Sequence, residues 1–244
     1  MKLLVDIGNT AVKIGCVKEN KFSFIGRLYN VDVKESVLLE LLKSIKNVEG
    51  IYISSVAPKV KKVVETILIN KYHCPIINIS IDMNDYIDIA IDNKNELGID
   101  LLCDLVAAKT LYGPKTAVID FGTATKILFI DENGIFSSCA IFLGYSQSKK
   151  ILSNSTELLP NVNDIKIKPI SDCHNTIDVI NSSAYYSQLF SVIGIIHKYE
   201  EEVGYPLQKV FTGGNAKAFL EEIGEEQYDE YLLLKGLAIL SERN

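Results

Sequence analysis

The chain has 244 residues against the ~150 of a typical domain, so it is one large α/β unit or two small lobes, and a single small binding module is excluded. Its 48% hydrophobic and 23% charged residues match the globular average, which removes the disordered and fibrous classes. The 25 Lys and Arg against 31 Asp and Glu leave a net charge of −6 with no long run of like charge, so no basic face is offered to a phosphate backbone and nucleic acid is not an expected partner.

In chain order, Asp6 interrupts what would have to be the apolar core of a signal peptide, and no apolar run approaches the ~20 residues of a membrane span. The expectation is a cytoplasmic protein with no membrane partner. Lys2 to Ile7 reads as a strand, Gly8-Asn9-Thr10 as a turn, and Ala11 to Val17 and Phe22 to Leu28 as two further strands of a meander. Val37, Leu38, Leu41, Leu42 and Ile45 form the apolar stripe of a helix. Gly50 to Val56 is a strand, and Pro58 stands where a helix through Leu68 begins, a position that tolerates its missing N–H. Ile76 to Ile79 adds a short strand, and Asp82 to Glu96 reads as a connection between lobes.

From Gly98 the pattern restarts. Residues 99–112 predict a helix, with Pro114 just beyond its end. Thr116 to Ile119, Ala124 to Ile130 and Ile135 to Phe142 predict a second meander, its first turn at Asp120-Phe121-Gly122-Thr123. Helices are expected at Ser146 to Asn154, Thr176 to Val203, Ala216 to Ile223 and Glu230 to Ser241, and a buried strand at Lys209 to Thr212. A strand, an Asp-x-Gly-polar turn and two more strands thus occur twice, at Asp6 and at Asp120, which reads as an internal repeat of a whole lobe. The expected architecture is α/β, with lobes at 1–95 and 96–244 facing each other across a cleft.

The five cysteines (Cys16, Cys74, Cys103, Cys139, Cys173) contain no Cys-x-x-Cys pair and read as small apolar thiols in a reducing compartment. His73, His174 and His197 share no metal-ligand spacing.

A carboxylate at a strand end, followed by Gly and small polar residues, lets the backbone N–H groups of a hairpin face an anion. The Asp itself repels a phosphate, so its role is to hold a cation or a water that touches one. Taken singly, either turn is also an ordinary hairpin; two at matching places point to a nucleotide's phosphates. Gly213-Gly214, between a strand and a helix, reads as a third contact or as a plain turn. Asp100 opens an apolar helix, where it serves either as a base for a substrate hydroxyl or as simple complement to the helix dipole. Asp104 falls on the same helical face.

With these residues in view, the chain resembles the type III pantothenate kinases, members of the acetate and sugar kinase, Hsp70 and actin superfamily. The resemblance rests on Asp6-Ile7-Gly8-Asn9-Thr10 with Lys13, Ser54-Ser55-Val56-Ala57-Pro58, Glu96-Leu97-Gly98-Ile99-Asp100, Asp120-Phe121-Gly122-Thr123-Ala124-Thr125, Thr156-Glu157-Leu158-Leu159-Pro160, Thr212-Gly213-Gly214-Asn215-Ala216 and Leu234-Lys235-Gly236-Leu237. It implies two duplicated ribonuclease H-like (actin-like ATPase) lobes, each a mixed sheet with helices. It further implies ATP-dependent phosphorylation of the 4′-hydroxyl of pantothenate, the first step of coenzyme A synthesis, by a homodimer that uses Mg2+ and a monovalent cation (K+ or NH4+). Carried onto this sequence, it assigns Asp6, Ile7, Gly8, Asn9, Thr10, Ala11, Val12, Lys13 and Thr123 to ATP, Asp120 to the monovalent cation, and Asp100 to the general base. Gly98, Ile99, Asp100, Leu101 and Thr176 fall to pantothenate.

The chain departs from that pattern at several positions. Leu101 stands where the family has an arginine, and an alkyl group cannot make the bidentate bonds that anchor a carboxylate. Ile91 replaces an aromatic, Asn95 a proline, Leu143-Gly144 a proline-glycine, and Lys126 a small hydroxyl residue. The phosphate side is retained while the acceptor side is altered, which leaves a non-catalytic homologue or a kinase of another hydroxylated acid as alternatives.

Overall fold

The computed structural model describes residues 1–163, 166–224 and 227–243. Its contacts divide the chain into two units. The first holds residues 1–114, 130–137 and the stretch from Tyr231; the second holds Lys115–Phe129 and Ser138–Glu230. The division expected at 95/96 is therefore not where the contacts draw it.

The first unit is built on β1 (Lys2–Ile7), β2 (Ala11–Lys18), β3 (Lys21–Tyr29), β4 (Gly50–Ser55) and β5 (Ile76–Asn78), ordered β3-β2-β1-β4-β5. β1 pairs antiparallel with β2 and parallel with β4, so Asp6 lies between Lys13 and Ser54 in register. Leu3, Val5, Ile7, Val12, Ile14, Ile51 and Ile53 supply the apolar side of the sheet. Against them pack Leu38 and Leu42, from and just after α1 (Glu35–Leu41), and Val64, Ile67 and Leu68 of α2 (Pro58–Tyr72). Pro58 occupies the first turn of α2, and His73 in the left-handed region ends it.

α3 (Ile99–Tyr112) covers the residues that the spacing predicts. It is buried along almost its whole middle, from Leu101 to Ala108, and stops at Gly113, whose φ of 90° suits glycine. The C-terminal helix, which becomes α7 below, packs on it so closely that a Cβ at Gly236 would lie 1.8 Å from the Cys103 carbonyl oxygen. Contacts of α3 with β4, and of the C-terminal helix with β1, β2 and β4, draw residues from beyond the expected boundary into this unit. The connection 82–96 also contains a two-residue strand that the sequence reading missed, β6 (Asp88–Ile89), paired parallel with the start of β9 (Ile135–Leu143).

The second unit contains β7 (Thr116–Phe121), β8 (Ala124–Ile130), the rest of β9 and β10 (Gln208–Thr212), with β10, β7, β8 and β9 adjacent in that order. Reading β7 to β10 in place of β1 to β4 reproduces the strand order of the first sheet, which is the repeat the two turns announced. α4 (Tyr145–Asn154) and α5 (Thr176–Val203) match their expected positions. The segment expected as one helix from Ala216 is a 3-10 turn, Ala216–Phe219, running into α6 (Leu220–Ile223). α7 (Leu232–Leu240) follows in the first unit.

Among the described residues, α5 alone is long and apolar enough to cross a membrane by length and composition. Its Ile180, Tyr185, Leu189, Val192 and Ile196 are buried, four of them in the core of the second unit with Phe121, Phe129 and Phe219. That spacing is the core stripe of an amphipathic helix. Asn175 caps its start by accepting from the Asp178 amide at 3.0 Å, and Gly204 ends it in the left-handed region.

Candidate functional site

In the first unit, the hairpin between β1 and β2 exposes Asn9 and Thr10 while Asp6 beneath it is only 4% exposed. The side chains of Ile7, Ala11 and Val12 are buried, so these three positions offer a ligand their backbone and not their side chains. The turn is braced by a residue that the sequence reading passed over. Asn30, just after β3, donates its Nδ2 to the carbonyls of Gly8 at 3.0 Å and Asn9 at 2.9 Å, and its backbone N–H to that of Thr10 at 2.9 Å. Occupying these carbonyls takes acceptors that would repel an anion away from the turn. No sequence signal marks Asn30, because its partners are backbone atoms some twenty positions away.

Asp100 lies in the first turn of α3, where the helix dipole favours an anion. It curls back over its own helix start: a Cβ at Gly98 would come within 2.4 Å of Asp100 Oδ1, so the missing side chain makes room for that carboxylate. Below it, Cys103 is fully buried, and its thiol is held well above the ordinary range by that burial and by the charges of Asp6, Asp104 and Asp100. Asp6 and Asp100, predicted from motifs some ninety residues apart, lie in the same unit. Leu101 is buried, 7% exposed, and brings no hydrogen-bond donor.

In the second unit the hairpin between β7 and β8 exposes Thr123 and holds Asp120 beside the parallel partner Thr212 of β10. This mirrors Asp6 beside Ser54, again a carboxylate flanked by a buried hydroxyl residue. Here too an asparagine amide braces the turn: Asn215 donates Nδ2 to the Gly122 carbonyl at 3.0 Å and its backbone N–H to that of Phe121 at 2.9 Å. Gly144 donates to the Thr123 carbonyl at 3.1 Å, and a Cβ there would fall 2.3 Å from the Gly122 oxygen. Gly213, at φ 97°, backs the Asp120 carboxylate so closely that a Cβ would lie 2.4 Å from its Oδ1. Gly213 is thus fixed by sterics at Asp120. Thr176 is exposed at the first position of α5, beside the Asp178 carboxylate that Lys168 and Asn175 hold at 2.6 Å each.

The cation expected at Asp120 meets a competitor. Lys126 places its Nζ 3.1 Å from Asp120 Oδ2, both side chains less than a fifth exposed. With Oδ2 in an ion pair and Oδ1 against Gly213, the residues present do not fit a monovalent ion on this carboxylate. Among the described residues, no three His, Cys, Asp or Glu side chains converge as a metal site.

The strand order shared by the two units, with an acid-tipped hairpin in each, defines the class: a two-domain mixed-sheet α/β fold of the actin-like ATPase and sugar-kinase type. A solved protein described as a 2-dehydro-3-deoxygalactonokinase, from Sinorhizobium meliloti, shares this fold at a TM-score of 0.57 and 10% identity, over 100% of this chain and 96% of that one. A protein described as a Baf family transcriptional activator from Campylobacter jejuni does so at a TM-score of 0.60 and 22% identity, over 99% and 98%. The sequence model of the type III pantothenate kinases matches residues 2–198. Curated type III pantothenate kinases from Listeria innocua and Syntrophobacter fumaroxidans are 29% and 31% identical, each over all of this chain and 98% of the relative. The chain belongs to the type III pantothenate kinase family. It is accordingly similar throughout to kinases of coenzyme A synthesis that act on a small molecule, and the kinase family implies ATP and a divalent cation.

Proposed function

We propose that the chain transfers the γ-phosphoryl group of ATP to the 4′-hydroxyl of pantothenate. The observation that supports this reading is the family match over residues 2–198 together with the Asp6 hairpin after β1 and the Asp100 carboxylate in the first turn of α3, both in the first unit. In this reading the backbone of Asp6 to Lys13 and the exposed Thr123 take the ATP phosphates, and a divalent cation, when bound, neutralises phosphate charge. Asp100, held at the rigid start of α3, accepts the proton of the acceptor hydroxyl. The hydroxyl oxygen forms its bond to the γ-phosphorus as the bond from that phosphorus to the bridging oxygen breaks, and ADP leaves with the electron pair.

Gly98 to Leu101 and Thr176 are assigned to the acceptor. Leu101 sets a second reading beside the first: a buried alkyl group cannot bind a carboxylate, which favours weaker pantothenate recognition or a different hydroxylated acceptor. A homodimer fits the exposed Phe190 and Ile193 of α5, apolar positions of the kind that mark association. The test is ADP release with ATP and Mg2+ over a panel of hydroxylated acids, for the wild type and Asp100→Asn. The reading expects turnover with pantothenate that Asp100→Asn lowers by about two to four orders of magnitude, as loss of a general base does. Equal rates in both proteins overturn it, and turnover confined to another acid favours the second reading.

A further inference from the structure

We propose that Lys126 is a tethered cation for the Asp120 hairpin, so that the site works without potassium or ammonium. The inference rests on the reading of this hairpin as a phosphate contact. A carboxylate beside a bound anion needs a positive charge between them, because two like charges at close range repel strongly in a partly desolvated setting. The expected solution is an ion drawn from solution. This chain supplies one covalently.

Lys126 is the third residue of β8, on the far side of the Gly122-Thr123 turn from Asp120, and its ammonium reaches back to Oδ2 at 3.1 Å. Asp120 and Lys126 are 15% and 18% exposed, so the pair is only partly screened by salt. The opposite oxygen, Oδ1, is walled by the Gly213 backbone, and a Cβ at Gly122 would come within 3.3 Å of Oδ2. With the Lys126 ammonium on Oδ2, that oxygen already has a cation beside it. An alkylammonium carries the same unit charge as K+ or NH4+ and donates hydrogen bonds as NH4+ does. Being tethered, it is present at an effective concentration that a free ion reaches only in the millimolar range. The small hydroxyl residue expected at position 126 would leave Oδ2 to a free ion; the lysine takes that place.

The experiment exchanges potassium chloride and ammonium chloride for choline chloride at constant ionic strength. It reads binding of a fluorescent ATP analogue, melting temperature and pantothenate-dependent ADP release, for the wild type, Lys126→Thr and Lys126→Gln. The wild type is expected to change less than about twofold in each buffer, while Lys126→Thr weakens about tenfold in choline and regains most of that loss with ammonium or potassium. Lys126→Gln fills the space without the charge and is expected to weaken without recovering, which separates loss of charge from loss of fold. Nucleotide binding by the wild type that requires potassium or ammonium overturns the proposal and leaves the kinase reading standing. So does a Lys126→Thr protein as indifferent to the ion as the wild type. A wild type that binds no nucleotide in any buffer overturns the phosphate reading and the tethered cation with it.

Discussion

Replacing Gly213 by alanine tests whether the Asp120 hairpin is built as tightly as it is drawn. The new Cβ would lie 2.4 Å from Asp120 Oδ1, 2.6 Å from the Phe121 nitrogen and 2.7 Å from the Phe121 carbonyl carbon. Two of these neighbours are backbone, and the Phe121 ring is stacked on Phe219 at 4.5 Å, so the strand cannot slide away. Overpacking of this kind costs about 1–3 kcal/mol. The φ of 97° adds strain of about 1–3 kcal/mol for a residue with a side chain. Together these are a large part of the ~5–15 kcal/mol that holds a domain folded. At about 2–4 °C per kcal/mol for a chain of this size, Gly213→Ala should melt at least ~5 °C below the wild type. Gly194→Ala is the matched control: that glycine is exposed within α5 with nothing within 4 Å of its added Cβ, so the change should raise stability by about 1 kcal/mol through helix propensity. Thermal unfolding followed by circular dichroism decides. Two variants that melt alike would refute the steric argument.

Asn30→Ala removes the amide that braces the first hairpin, and should raise the KM for ATP about fivefold to thirtyfold with little change in kcat, in line with about 1 kcal/mol each for one or both of its two lost hydrogen bonds; an unchanged KM would show that the brace is dispensable. Asp178 is held below its ordinary 3.8 by the Lys168 and Asn175 bonds, so its contribution is complete above that value and is lost as acid drives the carboxyl through its lowered folded value. Asp178→Asn should therefore melt below the wild type at neutral pH, and the gap should narrow below about pH 4; a gap that stays constant into acid would contradict the ion pair. Cys103, buried and held protonated, should resist alkylation in the native protein and react only after denaturation, whereas the exposed Cys139 should label first. Native labelling of Cys103 by mass spectrometry would argue against the closed α3–α7 contact.

The long helices were legible because they carry strong local signals: α3 between Gly98 and Gly113, and α5 from the Asn175 cap to Gly204, lie on the residues that the spacing predicts. The repeat was legible as two Asp-x-Gly turns, since a hairpin's chemistry is written in consecutive residues. What escaped depends on distant partners. β6 is two residues long and has no periodicity to read. The contacts draw the units elsewhere than at 95/96 because α3 packs on β4 and α7 on β1, β2 and β4, partners far away in sequence. Asn30 acts on carbonyls, which no side-chain pattern reveals. Lys126 stood out as a departure from the family pattern, but only the coordinates pair its ammonium with Asp120.

The reading as a whole stands on phosphoryl transfer to one oxygen of one acceptor. Phosphorus NMR of a reaction holding protein, ATP, Mg2+ and pantothenate reports it directly. A new monoester resonance coupled to the protons at the 4′ position, growing as ADP forms and absent with Asp100→Asn, is the predicted spectrum. ATP that persists unchanged at high protein concentration, or a monoester that forms equally well with the asparagine variant, would contradict it.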